Sequence, residues 1–114
     1  NWTTIADGTP GLFALTRATG DPRYADTATR SGRWLWANTR VPAGTPGGEG
    51  LFYNIIDPAT GEVWRDWDVH TQGPVRDAAR AASAPAPVTR VARPNIEGFL
   101  FHDMCRHTGE AVWC

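Results

Sequence analysis

The segment Trp64-Arg65-Asp66-Trp67-Asp68-Val69-His70 gathers two carboxylates, two indoles and an imidazole within a few residues. On an extended strand Asp66 and Asp68 share one face, Trp67 takes the other, and His70 continues the alternation. Paired carboxylates about 5 to 9.5 Å apart are the chemistry of glycosidic-bond hydrolysis. Indoles add a flat apolar face and an N–H donor, which suits stacking on sugar rings. Asp66 and Asp68 are therefore candidate catalytic groups, with Trp64, Trp67 and His70 as candidate substrate contacts. A third carboxylate, Glu97, falls in the first turn of an expected helix, where the helix dipole stabilises its anion. Gln72 and Arg93 are placed to hold sugar hydroxyls or a uronate. Each of these has a plainer account: a solvated charged hairpin, a capping carboxylate, a structural arginine at a helix start.

Other chemistries find less support. Eleven basic and twelve acidic residues leave a net charge of −1, which gives no electrostatic footprint for nucleic acid or an anionic membrane. All eleven basic residues are arginine, a bias that GC-rich coding explains. No apolar run is long enough to span a bilayer, and no signal-peptide pattern is present. His70, His102 and His107 lack ligand-type spacing with the cysteines, so neither a metal nor a cofactor is expected. His102 and Asp103 lie off the Glu97 face of their helix, so no acid–base pair is expected there. Asn1-Trp2-Thr3 matches a glycosylation sequon, which carries weight only in a secretory context. Cys105 is expected as a buried free thiol; a disulfide to Cys114 is the alternative.

The elements that must position these groups are announced by a repeated phrase. Arg17-Ala-Thr-Gly-Asp21 returns as Arg106-His-Thr-Gly-Glu110, its glycines 89 positions apart. Each copy closes an apolar stretch in which Leu12 and Leu15, or Phe101 and Met104, are spaced by three. The reading is a helix, a left-handed glycine stop, and an acidic cap opening the next helix, with one apolar face common to both copies. Repeated helical hairpins bury their faces against neighbouring hairpins.

Along the chain, residues 10–38 read as a helical hairpin, with Pro10–Ala18 the first helix and Asp21-Pro22 the start of a second that runs to about Asn38. Six tryptophans are many for so short a chain. Trp34 is expected in the core beside Tyr24 and Leu35, whereas Trp113 has no visible partner. Residues 39–50 are loop by composition, and two short runs around Asp57-Pro-Ala-Thr-Gly61 give a β-hairpin within 39–68. Residues 69–93 are expected to be irregular, with a short helix at Val75–Ala82 as an alternative, since Pro85 and Pro87 break anything longer. Residues 94–114 open the next hairpin. With one hairpin and half of another, the chain reads as part of a longer protein.

The order helix, helix, aromatic β-ribbon, helix resembles one hairpin and a half of an (α/α)6 toroid glycosidase. "RATGDPRYADTATRSGRWLW" and "GLFYNIIDPATGEVW" are similar to family 76 glycoside hydrolases of the endo-α-1,6-mannanase type. The layout also resembles unsaturated uronyl hydrolases of families 88 and 105, and "RPNIEGFLFHDMCRHTGE" resembles class I α-mannosidases. The tandem Asp-Asp of the mannanase type is absent, which under that resemblance puts its catalytic pair upstream of Asn1. The resemblance implies a mainly α fold, an incomplete (α/α) toroid with a small β-hairpin insertion. It also implies a carbohydrate substrate, mannan ahead of uronides. The alternatives are a non-catalytic helical-repeat scaffold or sugar-binding module and, last, a toroid sugar isomerase. The isomerase needs paired histidines in one cavity, and His102 and His107 are too far apart around their helix.

Overall fold

A computed structural model describes residues 2–44, 50–53, 55–64, 67–68, 73–74, 92–93 and 98–114; at 2–7, 67–68, 73–74, 92–93 and 98 the backbone alone is described. The described residues are mainly helical, with short antiparallel strand pairs, and the chain divides into two compact units. The helical unit spans 2–38 and 95–114; the β-rich unit is made chiefly of 39–94.

The helical unit contains α1 (Trp2–Thr19), α2 (Arg23–Thr39, whose last residue belongs to the β-rich unit) and α3 (Gly98–Thr108). α1 begins well before the expected Pro10 and carries that proline in its interior, where the missing N–H deletes a single ladder bond. α3 packs against α1. Its Leu100 and Met104, one turn apart, are both fully buried. On α2 the inward face is Ala25, Ala28, Gly32 and Leu35, spaced by three and four as an amphipathic helix requires. Gly32 faces the Met104 thioether and the Leu100 methyl so closely that a Cβ there would require the thioether to move.

Two packing expectations are corrected by helical phase. Trp34 is 39% exposed, because it lies about 200° around α2 from Gly32 at about 100° per residue. Its neighbour Trp36 takes the packed position, meeting Phe101 edge-on at 5.2 Å and Trp113 at 5.4 Å, while Phe101 and Trp113 stack at 5.6 Å. Trp113 thus has two aromatic partners. The common apolar stripe also fails in the first copy: Leu15 is 44% exposed although Met104 is buried. α1 turns Thr9 and Phe13 inward instead, and Leu15 lies about 200° from Phe13.

The stop in the repeated phrase, by contrast, folds the same way twice. The expected acidic cap forms only in the first copy: Glu110 is followed by a turn and its carboxylate pairs with Arg33. Gly20 and Gly109 have φ of 74° and 69°, the left-handed stop that glycine adopts without a Cβ penalty. Their N–H groups donate to the Thr16 and Cys105 carbonyls at 2.9 and 2.8 Å. Thr19 and Thr108 donate their hydroxyls to the Leu15 and Met104 carbonyls, and each accepts the N–H of the acid two residues on, Asp21 or Glu110. Asp21 then caps α2, its Oδ1 accepting the Arg23 N–H at 3.0 Å.

Correspondence extends beyond the phrase. In the first copy the Thr16 hydroxyl donates to the Asp21 carbonyl at 2.7 Å and accepts the Ala25 N–H at 2.9 Å, so it is inserted into the first turn of α2. The positions 89 further on from Thr16 and Ala25 are Cys105 and Cys114, which form a disulfide with Cα atoms 5.0 Å apart. Cys105 is therefore not a free thiol. The same two backbone sites are fastened by a hydroxyl in one copy and by a covalent bond in the other. Thr16→Val keeps the shape, removes the hydroxyl and strands the N–H of Ala25, which is 1% exposed. The expected loss is about 1–3 kcal/mol, readable as a lower urea midpoint with an unchanged slope.

In the β-rich unit, β1 (Phe52–Tyr53) pairs with β6 (Ala92–Arg93), β2 (Ile55–Ile56) with β3 (Val63–Trp64), and β4 (Trp67–Asp68) with β5 (Gly73–Pro74), all antiparallel. The β2–β3 hairpin turns through Asp57-Pro-Ala-Thr-Gly61 as its composition predicts. Asp57 Oδ1 accepts the Ala59 N–H, the Asp57 carbonyl accepts the Gly61 N–H, and Gly61 has φ 74°. Val41 and Tyr53 form the buried centre, packed by Leu51, Ile55 and Val63. β5 and β6 fall in the segment expected to be irregular; their backbones pair with strands earlier in the chain, a long-range partnership that local composition does not encode. The alternative helix at Val75–Ala82 and the expected start of α3 at Pro94–Glu97 lie outside the described residues.

Candidate functional site

Of the residues singled out for carbohydrate chemistry, Asp66, His70, Gln72 and Glu97 lie outside the described residues. The others sit on the strand pairs. Trp64 is half-buried opposite Ile55, Trp67 and Asp68 lie opposite Pro74 and Gly73, and Arg93 lies opposite Phe52. The strand partners of Arg93 and Trp64, Phe52 and Ile55, are three positions apart in the sequence.

The helical unit presents a second arrangement. A cleft of about 130 Å³ opens between α1, the start of α2 and the end of α3. Its deeper wall is Phe13, Thr16 and Ala25; Arg17, Asp103, Arg106 and His107 complete the lining. His107 Nε2 lies 3.2 Å from Asp26 Oδ1, and its ring meets Phe13 edge-on at 5.9 Å. A carboxylate only accepts, so Nε2–H is the donor. The imidazole is thus fixed in orientation from two sides.

Arg17 and Arg106 are the first residues of the two copies of the phrase, each in the last turn of its helix. A cation there is favoured by the helix dipole. Neither makes an ion pair with another described residue, unlike Arg23, which pairs with Asp21, and Arg33, which pairs with Glu110. Sequence reasoning used the phrase only as a stop signal and passed over its arginines. The 89-residue offset was the available clue.

Electrostatics elsewhere serve the frame. The Arg33 guanidinium grips Glu110 through both oxygens and lies 5.7 Å from the centre of the Trp113 ring. Hydrogen bonding to Arg33 holds the Glu110 carboxyl below its ordinary range, with the smallest contribution from the Trp113 indole. The Trp113 N–H is enclosed but falls short of hydrogen-bond geometry. Hydrogen bonding to Arg23 likewise lowers Asp21. A carboxyl lowered on folding contributes stability that is present above its unfolded value and is lost as pH falls through its folded one. Thermal stability is therefore expected to decline as pH falls below about 4, where unpaired carboxyls take up protons. Glu110→Gln should flatten that decline while lowering the pH 7 midpoint slightly, because exposed pairs are screened. A pH series of melting curves for both proteins checks this, and equal acid sensitivity would remove Glu110 from the account.

Among the described residues, no group of three His, Cys, Asp or Glu side chains is placed to hold a metal ion. No described helix is long and apolar enough to cross a membrane. The sequence matches no protein family, no curated protein and no solved structure.

Proposed function

We propose that this chain is part of an α/α helical-hairpin array of the toroid type that acts on carbohydrate, most readily a mannan-type polymer, by carboxylate acid–base hydrolysis. The observation that carries the reading is the twice-built helix with a Thr-Gly stop, in which the threonine makes the same two hydrogen bonds at both sites. Such a unit is the building block of stacked hairpins, whose apolar faces are completed by neighbours. The β-ribbon adds the chemistry, with Trp64 and Trp67 as stacking platforms and Asp66 and Asp68 as acid–base groups; Glu97 is a further acid–base candidate. His70, Gln72 and Arg93 hold hydroxyls. Unsaturated uronides are the next substrate class.

The test is reducing-sugar release from α-1,6-mannan and from unsaturated uronides by the full-length protein. Release that falls at least about a hundredfold in Asp66→Asn, Asp68→Asn or Glu97→Gln supports the assignment, since acid–base groups contribute that much or more. Release that survives all three moves the catalytic pair elsewhere. A second reading, a non-catalytic helical scaffold or sugar-binding module, is favoured by one observation: the acids of the repeat, Asp21 and Glu110, are engaged with Arg23 and Arg33. Binding without release is its signature.

A further inference from the structure

We propose that the cleft between α1, α2 and α3 is a binding site for a small sugar acid, a carboxylate carried on hydroxylated carbons. Four features of the cleft converge on that class. First, Arg17 and Arg106 reach one hollow from equivalent places in two repeat copies, and neither is neutralised by a described carboxylate. The helix dipole explains a cation at each helix end; it does not explain why both line the same cleft. Guanidinium groups present planar, paired N–H donors, the geometry that matches a carboxylate.

Second, the lining is not purely cationic. Asp103 stands one turn before Arg106 on α3 and lines the same hollow, where it repels a bare oxyanion but accepts hydrogen bonds from hydroxyl groups. A ligand that carries both an anion and hydroxyls satisfies both walls. Inorganic phosphate or acetate satisfies only one. Third, His107 is held by Asp26 and braced by Phe13, so a ring that also faces the cleft loses little freedom when a ligand arrives. Fourth, size suits such a guest: a cleft of about 130 Å³, open to solvent, admits a carboxylate and its neighbouring hydroxylated carbons. The apolar back wall, with Phe13 only 2% exposed, suits the C–H face of such a fragment.

This site is separate from the β-ribbon chemistry, so it stands whether or not the chain hydrolyses a glycoside. The experiment is an NMR titration of the protein with D-glucuronate, acetate, inorganic phosphate and D-mannose, in parallel with the variants Arg17→Gln, Arg106→Gln and Asp103→Asn. These are surface or half-exposed positions, and far-UV circular dichroism confirms that each variant is folded. Glucuronate is expected to bind in the millimolar range and to shift the signals of Phe13 and His107; mannose should produce no shift. Each arginine variant should weaken glucuronate about tenfold, the scale of one charge-assisted hydrogen bond. Asp103→Asn, which keeps an acceptor but removes the repulsion of an oxyanion, should strengthen acetate more than glucuronate and so narrow the preference between them. The proposal is overturned if glucuronate binds no better than mannose. It is equally overturned if the Arg17→Gln/Arg106→Gln double variant binds it unchanged. Phosphate binding tighter than glucuronate replaces the sugar acid with a plain oxyanion.

Discussion

Replacing Cys114 with serine is expected to lower stability by about 2–3 kcal/mol and to release the last residues from the aromatic cluster. The cysteines are nine positions apart, and closing a loop of this size restricts the unfolded chain by slightly less than the roughly 3 kcal/mol of a fifteen-residue loop. For a chain of about a hundred residues that shift corresponds to roughly 10–20 °C in Tm. The mechanism makes the signal specific. Trp113 lies inside the bridged loop and stacks on Phe101 beside Trp36, so its fluorescence should move toward the solvated value in Cys114→Ser or after reduction. A reduced protein with unchanged Tm and unchanged emission would show that the Glu110–Arg33 pair and the aromatic contacts hold the segment by themselves.

The reciprocal change follows from the repeat. Thr16→Cys/Ala25→Cys places two cysteines at the sites that the natural disulfide occupies in the other copy, where a hydroxyl-to-amide hydrogen bond of 2.9 Å already brings the chain segments together. Oxidation should form the second bridge, visible as a loss of about two mass units. Its gain is offset by the lost Thr16 hydrogen bonds, so the net stability change should be small.

How much of this was legible beforehand varies residue by residue, for physical reasons. The Thr-Gly stop is readable because its geometry is local: glycine at positive φ and a threonine bonding back one turn, with the acid capping forward in the first copy only. The Asp57–Gly61 turn was readable for the same reason. Trp34 and Trp36 were not separable by composition, since which of two nearby indoles is buried depends on where α3 lies, a tertiary fact. Leu15 was assigned to a buried stripe on the strength of Met104, yet α1 and α3 turn different faces inward. The disulfide is not settled by the spacing of Cys105 and Cys114 alone, since bridging depends on the distance between their Cα atoms. The clue to it is Thr16, the equivalent of Cys105 in the repeat, 89 positions earlier. β5 and β6 depend on pairing across the chain. The carboxylates Asp66 and Glu97 lie outside the described residues, so they keep the standing that sequence alone gives them.

Substituting Gly32 should destabilise the crossing of α2 and α3. In an exposed helix Gly→Ala gains up to about 1 kcal/mol. At Gly32 the added Cβ would overlap the Met104 sulfur and sit 3.4 Å from Leu100 Cδ1. Met104 and Leu100 are fully buried, so a displaced thioether must force its way into packed surroundings, a cost of about 1–3 kcal/mol. Gly32→Ala is therefore expected to be destabilising on balance, and Gly32→Val, with two more carbons at the crossing, by about 3 kcal/mol or more. The partner change tests the cause. Met104→Ala alone leaves a cavity and should cost about 2–5 kcal/mol. Combined with Gly32→Ala, the same truncation removes the overlap and lets the new methyl occupy part of the hole. The double variant should then be more stable than the summed single effects by at least about 1 kcal/mol, a coupling measurable by urea denaturation of all four proteins. Additivity within about 0.5 kcal/mol would place the cost of Gly32→Ala in the backbone instead. The same crossing brings Asp26 to His107 and Arg33 to Glu110, so a Gly32→Ala protein that remains folded should also lose affinity at the cleft, because the spacing of α2 and α3 fixes the orientation of its imidazole.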